Sequence, residues 1–77
     1  MLNTSLTKNE RRILDVVNSA PEKVVRTDVV RRSVGLTPRG LNTVLDRIVR
    51  RGLVAYVAGG LVTITFGGMR AVRSVEA

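Results

Sequence analysis

Cysteine, histidine and tryptophan are absent from the sequence, and its aromatic residues are one tyrosine and one phenylalanine. Without thiol and imidazole groups, the chain has no disulfides, no Cys or His ligands for a metal, and none of the commonest general bases. Its six acidic residues are scattered beside arginines, and no glycine-rich stretch matches a phosphate-binding loop. We therefore expect a protein that is not an enzyme and that uses no metal or other cofactor.

Long hydrophobic runs are also missing from the chain. No apolar stretch has transmembrane length, and the N-terminal sequence MLNTSLTKNERR lacks the apolar core of a secretion signal. No segment combines a basic helical face with bulky aromatic anchors, as a membrane-surface helix would. We expect no membrane partner, no small-molecule effector, and a cytoplasmic, nucleoid-associated location.

Positive charge, by contrast, is abundant. The chain has 13 basic and 6 acidic residues, and eleven of the basic residues are arginine, so its formal net charge is +7. Such a charge attracts polyanions, and the planar guanidinium group suits phosphates and guanine edges better than an ammonium group does. The charge pattern favours a nucleic-acid partner over a surface that is basic merely for solubility.

The length of 77 residues allows one domain, which we place at residues 1–77. A domain of this size buries only about 60% of the surface that its unfolded chain exposes. Its core is therefore thin and must be built from valine, leucine and isoleucine. Because pairing with a second copy stabilises such a domain, we expect a homodimer.

The first predicted helix begins at a capping box. Thr7 and Glu10 have the spacing at which the hydroxyl accepts from the glutamate amide while the carboxylate reaches back. Pro21 ends the helix, and its buried face is predicted from helical spacing to be Ile13, Leu14, Val17 and Ala20. Val24 and Val25 then predict a short extended segment.

A tight helix-turn-helix follows. Thr27 is predicted to cap a second helix at residues 28–33, and Gly35 supplies the left-handed conformation that the turn requires. Two helices joined so closely are typical of a motif that holds its second helix against a groove of a partner molecule.

The third helix has the clearest boundaries, and we place it at residues 38–51. Thr37 is a good N-cap, Pro38 suits the first helical position and Gly52 stands just past the end. Its buried face is predicted to be Leu41, Val44, Leu45 and Ile48. The opposite ridge carries Arg39, Thr43, Asp46 and Arg50, with Asn42 and Arg47 flanking it. In an isolated helix such a ridge would simply be solvated, but the preceding turn and the net charge favour a binding surface.

Two β-rich segments, residues 53–57 and 61–66, are separated by a turn at residues 58–60 and predict a hairpin. Alternation places three side chains toward the helices, namely Val62, Ile64 and Phe66. Thr65 is predicted to cap a last short helix at residues 67–75, whose packing face is Met69, Val72 and Val75.

This order of elements resembles the winged helix-turn-helix family, and more narrowly the small repressors similar to the multiple-antibiotic-resistance regulator (MarR) group, over residues 6–72. The apolar positions and the turn glycine fit the pattern at Val30, Val34, Gly35, Leu36, Leu41 and Val44. LTKNERRIL resembles the first helix of the family, LDRIVRRGLV the end of its recognition helix, and ITFGGMRAV its return strand and closing helix. The resemblance implies an α+β fold: a three-helix winged helix-turn-helix domain with a β-hairpin wing and a short C-terminal helix.

The function that the resemblance implies is that of a sequence-specific double-stranded DNA-binding transcriptional regulator, a repressor, with helix 38–51 in the major groove. The side chain of Arg39 suits guanine, Asn42 suits adenine and the methyl group of Thr43 suits thymine. The expected phosphate contacts are at Arg26, Thr27, Arg31, Arg32, Thr37, Arg47 and Arg50. Asp46 is expected to be a structural partner of Arg50.

Three departures from the family pattern carry expectations of their own. Arg31 replaces a usually small residue, so either the helix crossing is wider or Arg31 turns outward and lengthens the basic face. The wing tip at residues 58–60 has no Arg or Lys, which argues against a minor-groove contact there. The longer dimerisation helices of MarR-like repressors are absent, which leaves the first and last helices for pairing.

Two other functions remain open at this point. Winged helices also serve as protein-docking modules, and the uncharged wing with Val54, Tyr56 and Leu61 is a candidate contact surface. RNA binding is the less favoured reading, because stacking platforms need exposed aromatic residues and only Tyr56 is a candidate.

Overall fold

The computed structural model describes residues 6–76, and the side chains of residues 6–73. This part of the chain contains four helices, one 3-10 turn and three short strands. In chain order they are α1 (Lys8–Ser19), a single 3-10 turn (Pro21–Lys23), β1 (Val24–Arg26), α2 (Thr27–Val34), α3 (Pro38–Arg50), β2 (Val54–Val57), β3 (Leu61–Ile64) and α4 (Phe66–Glu76). This architecture confirms the predicted α+β winged helix-turn-helix.

Helix α1 begins at the predicted capping box. The Thr7 hydroxyl accepts from the Glu10 amide at 3.2 Å, and the Glu10 carboxylate accepts from the Thr7 amide at 2.9 Å. Three of the four residues predicted for its inner face are fully buried, Ile13, Leu14 and Val17, whereas Ala20 is a half-buried C-cap. The helix stops there because Pro21 follows.

The three strands form one antiparallel sheet in the order β1-β3-β2. The predicted hairpin is confirmed, with Tyr56 opposite Val62 across β2 and β3. On the other side of β3, Val62 is opposite Val25 of β1, so the short extended segment of the sequence becomes an edge strand. Val62 is fully buried at the centre of this sheet.

The predicted cap of α2 was wrong. Arg26 occupies the N-cap position without a side-chain hydrogen bond, and Thr27 is the first helical residue. The Thr27 amide instead donates to the Gly60 carbonyl at 3.0 Å, because β1 leads directly from the sheet into α2. The turn that ends α2 is as predicted: Gly35 is left-handed, with φ of 80°.

The C-terminal end of the hairpin also differs from the prediction. Phe66 does not face the helices; it is 82% exposed, because α4 starts at Phe66 and breaks the strand alternation. Thr65 caps α4 as predicted, accepting from the Gly68 amide at 3.1 Å. Val75, predicted for the packing face, lies outside the described side chains.

The paired glycines of α4 allow its first turn to lie against the backbone that follows α3. A β-carbon at Gly68 would come within 2.1 Å of the Leu53 carbonyl oxygen, which is far too close. The Thr65 amide donates to the same carbonyl at 3.1 Å, and the Thr65 hydroxyl donates to the Gly52 carbonyl. These contacts close the base of the hairpin and offset the low helix propensity of glycine.

Candidate nucleic-acid interface

Helix α3 is held by its apolar side and leaves its polar side in solvent. The Thr37 hydroxyl accepts from the Gly40 amide at 3.0 Å, which confirms the predicted N-cap, and the helix ends at Arg50, one residue before the predicted end. Leu41, Leu45 and Ile48 are buried among side chains of α1, α2 and the sheet, and Val44 is half-buried. The helix therefore has a fixed orientation in the domain.

All of the outward positions predicted from helical periodicity are exposed, namely Arg39, Asn42, Thr43, Asp46, Arg47 and Arg50. Within the part of the chain whose side chains are described, those of Arg39, Asn42 and Arg50 make no hydrogen bond or ion pair. The Thr43 hydroxyl donates to the Arg39 carbonyl at 3.1 Å, one turn back along α3. The ridge thus presents two guanidinium groups and one amide that have their full capacity for an external partner.

The ion pair that was expected between Asp46 and Arg50 does not form. The Asp46 carboxylate accepts from the Tyr56 hydroxyl at 3.0 Å, which joins α3 to strand β2 of the wing. No ion pair joins Asp46 to Arg50, both of which are described. Burial, and then the hydrogen bond to Asp46 and its negative charge, raise the pKa of the Tyr56 hydroxyl above its ordinary value. The phenol therefore keeps its proton, and the link to α3, at neutral pH.

A buried carboxylate lies behind the C-terminal half of α3, and the sequence analysis missed this role. Glu10 is 1% exposed, and in the described part of the chain it is the one charged residue that is buried. Its Oε1 lies 3.4 Å from a guanidinium nitrogen of Arg51, and its Oε2 lies 3.6 Å from one of Arg47. The capping-box spacing identified Glu10 as an N3 residue, but nothing in the sequence shows that α3 packs over it.

An open depression runs along the same half of α3. It is lined by Thr43, Asp46, Arg47, Arg50 and Arg51. Three guanidinium groups and one hydroxyl border it, against a single carboxylate that already accepts a hydrogen bond from Tyr56. An open, cationic depression of this kind suits an extended anionic chain such as a nucleic-acid backbone.

Helix α2 and the end of β1 contribute basic residues that differ in how exposed they are. Arg26 and Arg32 are exposed, although Arg32 lies 3.8 Å from Asp28, one turn back on the helix. Arg31 is half-buried and donates to the Leu36 carbonyl at 3.4 Å, so it lies along the turn before α3 and does not extend outward. Thr27 is half-buried, and its amide is already bonded to Gly60.

The wing tip is exposed and carries no charge. It consists of Ala58, Gly59 and Gly60, and both glycines are left-handed, with φ of 90° and 75°. Val54, predicted for an apolar contact surface beside the tip, is buried, and Leu61 is half-buried; Tyr56 is 52% exposed. None of the described helices is long and apolar enough to cross a membrane.

Comparisons with known proteins agree with this fold. No protein-family model matches the chain, and no curated protein matches it either. Among solved structures, the chain is similar to a MarR family transcriptional regulator from Streptomyces coelicolor, with a TM-score of 0.87 and 26% sequence identity over 92% of this chain. The match spans about half, 52%, of that regulator. The chain is thus a winged helix-turn-helix domain whose fold resembles that of a MarR family transcriptional regulator.

Proposed function

We propose that this domain is a sequence-specific double-stranded DNA-binding transcriptional regulator that inserts α3 into the major groove. The observation that carries the proposal is the ridge of Arg39, Asn42 and Arg50, which is exposed, has no intramolecular side-chain partner among the described residues, and stands on a helix fixed by the core. The net charge of +7 and the likeness to a transcriptional regulator support it. Recognition helices of this family of folds bind DNA in this orientation.

The base contacts that we propose come from the N-terminal half of α3. Arg39 donates to O6 and N7 of guanine, and Asn42 bonds to adenine. Because the Thr43 hydroxyl is bonded to the Arg39 carbonyl, its methyl group is the part that contacts thymine. Each good bidentate contact discriminates against the wrong base by about 1–3 kcal/mol.

The phosphate contacts that we propose lie along the whole helix-turn-helix, from the end of β1 to the end of α3. Exposed side chains supply most of them, at Arg26, Arg32, Thr37 and Arg50. Arg32 is paired with the exposed Asp28, and three further positions predicted from the sequence also have partners inside the domain, namely Thr27, Arg31 and Arg47. These three contribute only where they share or give up those partners.

The regulator acts as a repressor in this proposal, because a protein seated in the major groove blocks access to the same DNA. It binds as a homodimer, which places two copies of α3 in successive major grooves. No small-molecule effector or catalytic activity is part of the proposal. A DNA-bound regulator is cytoplasmic and associated with the nucleoid.

The salt dependence of DNA binding tests the proposal. A labelled mixed-sequence duplex is titrated with the protein at several salt concentrations, and the logarithm of the association constant is plotted against that of the salt concentration. If about six phosphates are engaged, we expect a slope of roughly −5, since each phosphate contributes about −0.9. A flat salt response, or no binding, would reject the groove-binding function.

A protein-docking function is the second candidate, and it rests on two exposed side chains. Phe66 is 82% exposed and Val57 is 39% exposed, and the wing tip beside Val57 is uncharged. A co-purifying acidic protein, together with failure to bind any duplex, would favour this function. For RNA binding, Phe66 is a second exposed aromatic residue beside Tyr56 on which a base could stack. Competition between duplex DNA and single-stranded RNA distinguishes RNA binding from DNA binding.

A further inference from the structure

We propose that Glu10 is a positioning residue that holds Arg47 away from the DNA backbone and thereby limits sequence-independent affinity. This inference rests on the proposed function, because it concerns which arginines of α3 are available to phosphates. Glu10 lies at the start of α1, and its carboxylate is buried beneath the C-terminal half of α3.

The geometry makes Arg47 important to the buried carboxylate. Glu10 Oε1 has two partners, the Thr7 amide at 2.9 Å and Arg51 at 3.4 Å. Oε2 is buried and has no hydrogen bond within the described part of the chain; the Arg47 guanidinium lies 3.6 Å from it. If Arg47 left, Oε2 would lose that compensating charge while staying out of contact with water.

The competition between Glu10 and a phosphate for Arg47 therefore favours Glu10. Removing Arg47 is costly although Arg51 still balances the carboxylate, because Oε2 stays buried with no hydrogen bond among the described residues. A new contact between Arg47 and a solvated phosphate contributes much less favourable free energy, because it forms at the exposed surface and is screened by salt. Arg47 is half exposed, at 51% of its side chain, so it remains beside the DNA without leaving Glu10.

The result is an uneven distribution of available charge along α3. Among the described residues, Arg39, in the half that we assign to the bases, has no side-chain partner, whereas Arg47 is neutralised from behind. Phosphate contacts raise the affinity for every sequence, and base contacts raise it for one sequence only. Holding Arg47 back therefore lowers the affinity for every sequence by a similar factor, and leaves a larger share of the binding free energy to the base contacts.

Two charge-neutralising variants on the same helix test the inference. Glu10→Gln keeps an oxygen that accepts from the Thr7 amide but removes the charge that holds Arg47. Asp15→Asn is the matched control, because Asp15 is exposed on α1 and its loss changes the net charge equally. On a mixed-sequence duplex, we expect Glu10→Gln to steepen the salt slope by about 0.9 and to tighten binding roughly three- to ten-fold at physiological salt. Asp15→Asn is expected to keep the wild-type slope.

Substitution of Arg47 provides the reciprocal measurement. Arg47→Gln is expected to leave the wild-type slope unchanged, and to cancel the gain when it is combined with Glu10→Gln. A fall of about 0.9 in the slope of Arg47→Gln alone would overturn the inference, since Arg47 would already be on a phosphate. That measurement decides the matter even if Glu10→Gln does not fold.

Thermal unfolding of each variant separates positioning from stability. A purely structural Glu10 would lower the melting temperature of Glu10→Gln without steepening the slope, and that result would refute the inference while leaving DNA binding intact. A wild-type protein with no salt-dependent DNA binding would instead refute the proposed function, and this inference with it.

Discussion

Arg39 and Arg50 are both exposed on α3, yet we assign them different tasks. Arg39 lies in the first turn of the helix, where side chains reach base edges, and Arg50 lies at its end. We expect Arg39→Ala to lose about 1–3 kcal/mol of discrimination between a selected site and a mixed-sequence duplex. Arg50→Ala is expected to weaken both duplexes about equally and to lower the salt slope by about 1.

Competition binding with the two duplexes, after selection of a site from a random pool, measures both effects. Arg12→Ala is a suitable control, because Arg12 is exposed on α1 and is assigned no DNA contact. If neither Arg39→Ala nor Arg50→Ala alters binding, α3 is not the surface that meets DNA.

On α3, the exposure of individual side chains was predictable from the sequence, and their partners were not. Every ridge residue of α3 is exposed because a helix buries one side at a fixed period. Asp46 bonds to Tyr56 and Arg47 pairs with Glu10 because of how α3 packs on the wing and on α1. Such contacts join residues from different elements, so local spacing rules do not reveal them.

The turn between α2 and α3 depends on Gly35, which has φ of 80° and no atom near the place of a β-carbon. Gly35→Ala therefore meets no clash but forces a left-handed conformation, which costs roughly 1–2 kcal/mol. Part of this cost is offset, because alanine lowers the conformational entropy of the unfolded chain and so favours the folded state. We expect a net loss of about 1 kcal/mol and a melting temperature lower by about 4–8 °C in thermal unfolding.

Gly35→Asn provides the matched comparison for that experiment. Asparagine adopts the left-handed conformation more readily than alanine does, so its melting temperature is expected to lie between those of wild type and Gly35→Ala. An alanine variant as stable as wild type would show that the turn does not need a left-handed residue.

The wing is joined to α3 by the hydrogen bond from Tyr56 to Asp46. In the folded protein the pKa of Tyr56 is raised above 10.0, the ordinary value that applies to the unfolded chain. The hydrogen bond therefore contributes fully to stability at pH values below the pKa of the unfolded chain. This contribution is lost as the pH rises through the higher pKa of the folded protein. Tyr56 is the one tyrosine of the chain, so near-ultraviolet absorbance titrates it alone. We expect Asp46→Asn to lower the pKa of Tyr56, though not fully to 10.0, because burial, the largest cause, remains. An unchanged titration would mean that Asp46 does not act on Tyr56.

Elements with strong local signals were predicted well, and those set by tertiary contacts were not. The caps of α1 and α3 fixed their starts, because threonine side chains satisfy amides within the same turn. The start of α2 was misplaced because Arg26 ends an edge strand that the sequence showed only weakly. Glycine has a low helix propensity, yet the close approach of Gly68 to Leu53 is what places α4.

Assembly of the domain into the proposed homodimer would determine the form of its DNA site. The chain spans 52% of the similar regulator, and pairing through α1 and α4 is our proposal for this domain. A two-fold dimer predicts a palindromic site with half-sites about one helical turn apart. Sedimentation of the protein alone, followed by selection of bound sequences, measures both properties. A monomer that selects a single asymmetric half-site would contradict the homodimer.

The hairpin is fixed at its closed base and at Gly60, whose carbonyl accepts from the Thr27 amide, so the part without such support is Ala58 and Gly59. Thr65 anchors the return strand to the backbone at Gly52 and Leu53, while Ala58 and Gly59 project into solvent. Lengthening the chain between Ala58 and Gly59 therefore adds mainly loop-closure entropy, about 0.6 kcal/mol for each doubling of its length. A basic loop grafted at this position would extend toward the minor groove of the proposed DNA complex. The packing of α3 on the core would stay unchanged.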